Sequence, residues 1–307
     1  MRLFSLTLII IGVIGTTPAV AQPPSRTNIP KAPNDVIFET DITYRNGHDR
    51  WMLNVIQPRK KSTEPRAAIV LVHGGGWTGG DHYRFSRMGF TLAQQGYVVI
   101  LPTYRMIKDG PFPACLHDVK NSVRWLRAHA TKYNVDPNRI GAYGNSAGGT
   151  LALTVAMTAD EADLEGDGSF RDFSSELQAV VCSGAVGDMI HEHHSRRAAT
   201  VYRNLAGALV RGTTQTEIEA VMRRASPSSY IRKDTPPILL IHGAKDPVVF
   251  IDSTDDFHTR MKSAGANIEY LRFDDGTHSV MGQKSRTTTP AMLKFFETHL
   301  RGNDETD

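Results

Sequence analysis

Gly144-Asn145-Ser146-Ala147-Gly148 sets a serine between two glycines at G-x-S-x-G spacing. Nucleophilic chemistry needs that serine in a strained strand-to-helix turn, raised above a sheet. The glycines leave room for neighbouring backbone, and the first N–H groups of the following helix face incoming negative charge. The five-residue pattern is weak by itself, since glycine and serine are common. Its flanks strengthen it: an apolar run ends at Tyr143 and a helical run starts at Ala147. A second cluster, His73-Gly74-Gly75-Gly76-Trp77, follows another apolar run. Consecutive glycines let a chain turn its N–H groups inward, toward the oxyanion of an acyl transfer, where each donor is worth roughly 3–4 kcal/mol. The expected donors are the N–H groups of Gly75, Gly76 and Ala147. His73 is expected to orient this loop. Trp77, Tyr104 and Asn145 are expected to border the substrate with it, although core packing is an equal reading for Tyr104.

A serine nucleophile on such an elbow is followed along the chain by an acid and then a histidine. Asp246 stands just beyond the apolar run Ile238–Ile241, and His278 stands in a loop after the run Ile268–Phe273. Asp252, Asp255 and Asp256 compete for the acid's role, but they enter the next helix, and Asp252 suits its N-cap. His299 lies near the end of the last helix. The expected catalytic set is therefore Ser146, Asp246 and His278, with the imidazole shuttling the proton near neutral pH.

These residues need a scaffold that brings strand ends together. Residues 35–58 read as a hairpin, with Arg45-Asn46-Gly47-His48 as its turn. Beyond it, apolar strands at 67–72, 97–101, 139–143, 177–182, 238–241 and 268–273 alternate with helices near 83–95, 113–132, 147–158, 254–263 and 289–300. The helix at 113–132 carries Leu116, Val119, Val123 and Leu126 on one face. Strands with few charges, separated by helices, mean an α/β fold: a mostly parallel sheet, mixed by the leading hairpin, with helices on both faces. The polar stretch 187–234 breaks the alternation and is expected to be a small cap inserted over the carboxyl ends of the strands, where open sheets bind ligands.

The chain has 307 residues, enough for one large domain. Its 35 basic and 32 acidic residues leave a net charge of +3, no electrostatic footprint for nucleic acid. Residues 1–21 read as a signal peptide: Arg2, an apolar run from Leu3 to Val13, then Ala19-Val20-Ala21 before the cut. That run is too short to span a membrane comfortably, so the expected mature chain is secreted or periplasmic and has no membrane span. Residues 22–35 read as a Pro-rich linker, 36–301 as the folded domain and 302–307 as a tail. Cys115 and Cys182 are expected as separate buried thiols. His191-Glu192-His193-His194 fails the H-E-x-x-H pattern, because position 195 is serine. Asp163, Glu165 and Asp167 only echo a calcium loop, so no metal is expected. Arg196, Arg197, Arg203, Arg211, Arg223 and Arg224 read as scattered solvated charge, with acidic sugars a weaker alternative.

Taken together, His73-Gly74-Gly75-Gly76-Trp77, Gly144-Asn145-Ser146-Ala147-Gly148-Gly149, Asp246 and His278 in that order resemble the HGGG-type esterases and lipases of the α/β-hydrolase superfamily. The resemblance covers about residues 36–301. The leading hairpin, Trp77 and Tyr104-Arg105 look most like the secreted bacterial esterases related to acetyl-xylan and feruloyl esterases. Asn145 departs from the hormone-sensitive-lipase branch, which usually has Asp there and carries an N-terminal helical cap. The resemblance implies a serine esterase for short acyl chains, without a cofactor, acting on a small-molecule or oligosaccharide ester. The alternatives are an amide hydrolase resembling prolyl oligopeptidases or arylformamidases, and an inactive binding module. The oligomeric state has no signature in the sequence.

Overall fold

The protein, seen in a computed structural model, is described over residues 29–194, 207–212 and 214–302. The expected signal peptide, the start of the linker, Arg196, Arg197 and Arg203 lie outside the described residues.

Eight strands form one sheet: β1 (Val36–Thr43), β2 (Met52–Pro58), β3 (Arg66–Val72), β4 (Val98–Pro102), β5 (Val135–Asn145), β6 (Ala179–Ser183), β7 (Ile238–Gly243) and β8 (Ile268–Phe273). Their order is β1-β2-β4-β3-β5-β6-β7-β8. The pairs β1–β2 and β2–β4 are antiparallel, and every later pair is parallel. The sheet is therefore mixed only at its leading edge, as expected. The hairpin turn is looser than an Asn-Gly two-residue turn: the Tyr44 amide bonds the Trp51 carbonyl across the loop 45–50.

Helices among the described residues include α1 (Ser86–Gln94), α2 (Ala114–Ala128), α3 (Ala130–Tyr133), α4 (Ala147–Met157), α5 (Met189–His194), α6 (Gln215–Ala225), α7 (Ile251–Ser263), α8 (Val280–Gln283) and α9 (Ser285–Leu300). Side-chain alternation on the strands divides the core into two layers. On β3, Ala68, Val70 and Val72 face the layer with Leu116, Val119 and Val123 of α2 and Phe257 and Met261 of α7. Ala67, Ile69 and Leu71 face the other, with Phe90 and Leu92 of α1 and Phe295, Phe296 and Leu300 of α9. Burying both faces is what permits a parallel sheet of almost uncharged strands.

Two helices differ from the sequence reading. The one expected over 113–132 breaks at His129 (φ −102°, ψ 16°), whose ring stacks on Trp125 and bonds its carbonyl. The last helix starts at Ser285 and holds Pro290 in its interior. The segment 187–234 supplies α5, α6 and a short 3₁₀ turn at Pro227–Tyr230. Its Leu209 carbonyl accepts from the Phe112 amide, and the Arg211 guanidinium reaches the Ile107 carbonyl. No helix among the described residues is long and apolar enough to cross a membrane.

Candidate active site

Strand register assembles the site. Val72 of β3 pairs with Gly144 of β5, and Asn145 pairs with Ser183 of β6. The glycine loop and the serine turn therefore leave the sheet side by side. Gly243 of β7 pairs with Phe273 of β8, so the loops carrying Asp246 and His278 also emerge together. All four loops lie at carboxyl ends of parallel strands, where open α/β sheets bind ligands.

Ser146 follows β5 and caps α4 with φ 53° and ψ −127°, a conformation that non-glycine residues rarely adopt. Four contacts to Ser183 of β6 hold it. The Ser146 amide bonds the Ser183 carbonyl at 2.9 Å. The Asn145 side-chain amide reaches the Ser183 carbonyl and hydroxyl, both at 3.1 Å. The Tyr143 hydroxyl lies 2.9 Å from the Ser183 hydroxyl. The flanking glycines are there for space: a Cβ on Gly148 would fall 2.2 Å from the Val72 carbonyl oxygen, and one on Gly144 2.2 Å from that of Gly148.

The His278 Nδ1 lies 2.7 Å from Asp246 Oδ2. The other carboxylate oxygen, Oδ1, accepts from the amides of Val248 (2.8 Å) and Val249 (3.0 Å). His242 Nε2 stands 3.2 Å from Oδ2 and bonds the Val249 carbonyl at 3.0 Å. Burial alone would raise the Asp246 pKa, but the hydrogen bonds from His242 and His278 outweigh it and hold the carboxyl well below the usual carboxylate range. Asp246 is thus an ionised, fully bonded acid against the histidine. Gly184 (φ 55°) makes room for the pair; a Cβ there would sit 3.1 Å from His278 Nδ1. Asp252 is exposed and is not the N-cap, as its sequence position suggested. Phe250 takes that place, and Asp252 sits in the first turn of α7.

A cavity of about 250 Å³ joins these elements. Ser146, His278, Gly75, Gly76 and Ala147 line it. As the first residue of α4, Ala147 has an amide without an intrahelical partner. Gly75 (φ 125°) turns the loop toward the cavity at a position where a side chain would strike the Gly79 carbonyl. Of the four residues expected around a substrate, Trp77 and Asn145 line the cavity, whereas His73 and Tyr104 are buried and do not. The correction has a physical cause. The His73 ring stacks on Tyr104 at 4.4 Å, and the Tyr104 hydroxyl donates to the His73 carbonyl at 2.7 Å. Burial pushes the His73 pKa down to about 3, so the ring is neutral and bonds the Gly74 carbonyl and Thr103. Both residues brace the glycine loop from beneath. Arg105 anchors the next turn, forking onto buried Asp118 through Nε (2.9 Å) and a terminal nitrogen (2.8 Å).

Sequence reasoning missed four cavity residues: Arg84, Val186, Val248 and Val249. Only the two valines beside Asp246 carried any signal, their adjacency to the acid. The features set aside in the sequence have structural uses. Glu165 pairs with Lys120 and Arg124, Asp163 with Arg224, and Asp167 with Arg45. His194 pairs with Glu219. Cys115 and Cys182 are separate buried thiols.

A family model described as BD-FAE matches residues 53–261, more than half of the chain. The chain belongs to the BD-FAE family. This is an esterase family of the α/β-hydrolase fold, and the eight-stranded sheet is that fold. The chain is 28% identical over 255 residues to Esterase LipC of Mycobacterium tuberculosis, covering 80% of this chain and 61% of the relative. It spans less than two thirds of the curated relatives LipC, LipQ and LipM. Among solved structures it resembles a truncated carbohydrate esterase from gut microbiota (26% identity, TM-score 0.77, 88% of this chain and 99% of the other). It also resembles Thermogutta terrifontis esterase 2 phosphonylated by sarin (26% identity, TM-score 0.72, 89% and 97%).

Proposed function

We propose that this BD-FAE chain is a serine hydrolase of carboxylic esters with short acyl groups, acting outside the cytoplasm on an acylated carbohydrate. The observation that carries the reading is the 2.7 Å contact of His278 with ionised Asp246, beside a cavity that His278 shares with Ser146. In the proposed reaction the Ser146 Oγ attacks the ester carbonyl while His278 Nε2 takes its proton. Asp246 keeps the other proton on Nδ1 and stabilises the imidazolium. The carbonyl electron pair moves onto oxygen, facing the amides of Gly75, Gly76 and Ala147. Collapse expels the alcohol, protonated by His278. Water activated by the same imidazole then releases the acid and restores Ser146.

Three observations support the finer parts. The cavity volume of about 250 Å³ falls below the range of roughly 300–1,000 Å³ typical of drug-sized ligand sites, which favours a short acyl group. The leader-like residues 1–21 favour export. The likeness to a carbohydrate esterase favours an acylated saccharide. The test is a series of p-nitrophenyl esters from acetyl to decanoyl, run with acetylated xylan and p-nitroacetanilide. The expected result is a maximum in kcat/KM between acetyl and butyryl, acetate released from xylan, and negligible anilide cleavage. An acyl tunnel would instead add about 0.8 kcal/mol per buried CH₂, so kcat/KM rising through decanoyl would overturn the short-chain reading.

A further inference from the structure

We infer that Arg84 makes this site selective for esters that carry a carboxylate close to the scissile bond. This rests on the ester-hydrolase reading above and names the substrate class of the same cavity. Arg84 lies in the turn just before α1, is exposed, and lines the cavity with Gly76, Trp77 and Ser146. Several other arginines are engaged. Arg45, Arg105, Arg124 and Arg260 each pair with a carboxylate, and Arg50 and Arg66 hold backbone carbonyls. The Arg84 guanidinium has neither kind of partner among the described residues. The nearest acid in sequence, Asp81, accepts from the Tyr83 amide instead.

The wall around Arg84 sharpens the argument. Val186, Val248, Val249 and Trp77 give the cavity an apolar lining, and no aspartate or glutamate stands among its described lining residues. A guanidinium facing such a wall presents its planar fork of donors to whatever enters. A carboxylate matches that fork in charge and geometry, and an apolar wall weakens the competition from water. The carboxylate has two possible sources. It can belong to the acyl group, as in the half-ester of a dicarboxylic acid, or to the alcohol, as in an acylated hydroxy acid or uronic acid. Arg84 lines the same cavity as Gly75, Gly76 and Ser146, so in either case the anion would sit in the cavity that takes the reacting ester.

The experiment uses matched pairs on the purified chain. The acyl arm compares monomethyl succinate with methyl succinamate. The alcohol arm compares acetoxyacetate with acetoxyacetamide. Each pair differs by a carboxylate against a carboxamide of the same size. Rates are followed by pH-stat and corrected for each ester's reactivity toward hydroxide. In one arm the carboxylate member is expected to have about tenfold higher kcat/KM, carried by KM, as for a charge-assisted contact on a partly dry wall. Arg84→Gln brings that ratio close to one. Arg87→Gln, which removes an exposed charge outside the cavity, keeps it. The arm that shows the preference identifies the side bearing the anion. A ratio near one in both arms, a ratio that survives Arg84→Gln, or an equal loss in Arg87→Gln would overturn the inference. If p-nitrophenyl acetate is hydrolysed while these ratios stay flat, the selectivity fails and the esterase reading stands. If p-nitrophenyl acetate is not hydrolysed, the esterase reading itself fails.

Discussion

Replacing Asp246 by asparagine tests the site at its most constrained point. Asp246 Oδ1 accepts from two backbone amides, Val248 and Val249, which can only donate. In the variant the carboxamide oxygen must stay there, and the NH₂ falls where Oδ2 was. That position faces His278 Nδ1 at 2.7 Å and His242 Nε2 at 3.2 Å. An NH₂ at that place donates to His278 Nδ1, which moves the imidazole proton to Nε2. The ring can then no longer accept from Ser146. The expected loss is about 10⁴ in kcat, the size found for the same exchange in a serine-protease triad. It corresponds to about 5 kcal/mol of transition-state stabilisation. Stability falls as well, by about 1.5–3 kcal/mol, because a charge-assisted acceptor is lost. The folded-state pKa of Asp246 is depressed, so this stabilisation is present above the ordinary aspartate pKa and fades as pH drops below it. The gap in Tm between wild type and variant therefore narrows toward acid pH. Asp252→Asn is the comparator: Asp252 is exposed in the first turn of α7, where a charge is worth about 0.3–1 kcal/mol and touches no reacting atom. The assay is kcat on p-nitrophenyl acetate with Tm across pH 3–8. A kcat for Asp246→Asn within tenfold of wild type, or a dead Asp252→Asn, would refute the reasoning.

Ser146→Ala is expected to abolish both turnover and labelling by a fluorophosphonate probe while circular dichroism stays native; turnover near wild type would sink the nucleophile assignment. Gly184→Ala forces a Cβ to within 3.1 Å of His278 Nδ1 at a positive φ. It should lower kcat by about one to two orders of magnitude and cost about 1–2 kcal/mol in stability, measured by turnover and thermal melting. Glu192→Gln reports on a buried carboxyl of α5 that accepts from the Phe250 amide. Burial raises its pKa to about 7, with a smaller push from Asp246 outweighed by the pull of the Phe250 amide. Stability from a raised acid is complete below its ordinary pKa and is lost as pH climbs through 7. Wild type should therefore lose stability relative to Glu192→Gln between about pH 4.5 and 8, by up to about 3 kcal/mol, read as a falling Tm. Parallel Tm curves for the two proteins would contradict the burial argument.

Parts of the site legible in the sequence are those where physics narrows the residue choice. Gly144 and Gly148 are fixed by backbone contacts that no side chain fits, and consecutive glycines serve the turn of the loop after β3. Asp246 was readable because it follows the uncharged run of β7, which is fully buried, and His278 because it follows the last strand-like run before the closing helix. The strands themselves were legible for the same reason. The rest depends on contacts distant in sequence. Tyr104 could be read as a pocket wall or as core, and only its hydroxyl on the His73 carbonyl decides between them. Arg84 shares the cavity with Ser146 although the two are far apart in sequence, a fact about tertiary packing. The break at His129, whose ring stacks on Trp125, is something helix periodicity does not register.

Ser183 shows how much of the mechanism sits outside the motif. A residue held at positive φ costs of order 1–3 kcal/mol and persists only where its surroundings over-determine it. For Ser146 those surroundings are almost wholly one residue of the neighbouring strand. Ser183 accepts the Ser146 amide and the Asn145 side chain and meets the Tyr143 hydroxyl, and it does so because β5 and β6 pair Asn145 with Ser183. The next residue, Gly184, is the one whose missing side chain admits the His278–Asp246 pair. The end of β6 therefore holds Ser146 in its strained turn and leaves the space in which His278 is oriented. Neither residue takes part in the proposed chemistry. A one-residue slip in that register would separate the strain from the contacts that offset it, so the parallel pairing of β5 with β6 is itself a condition for Ser146 to hold its turn.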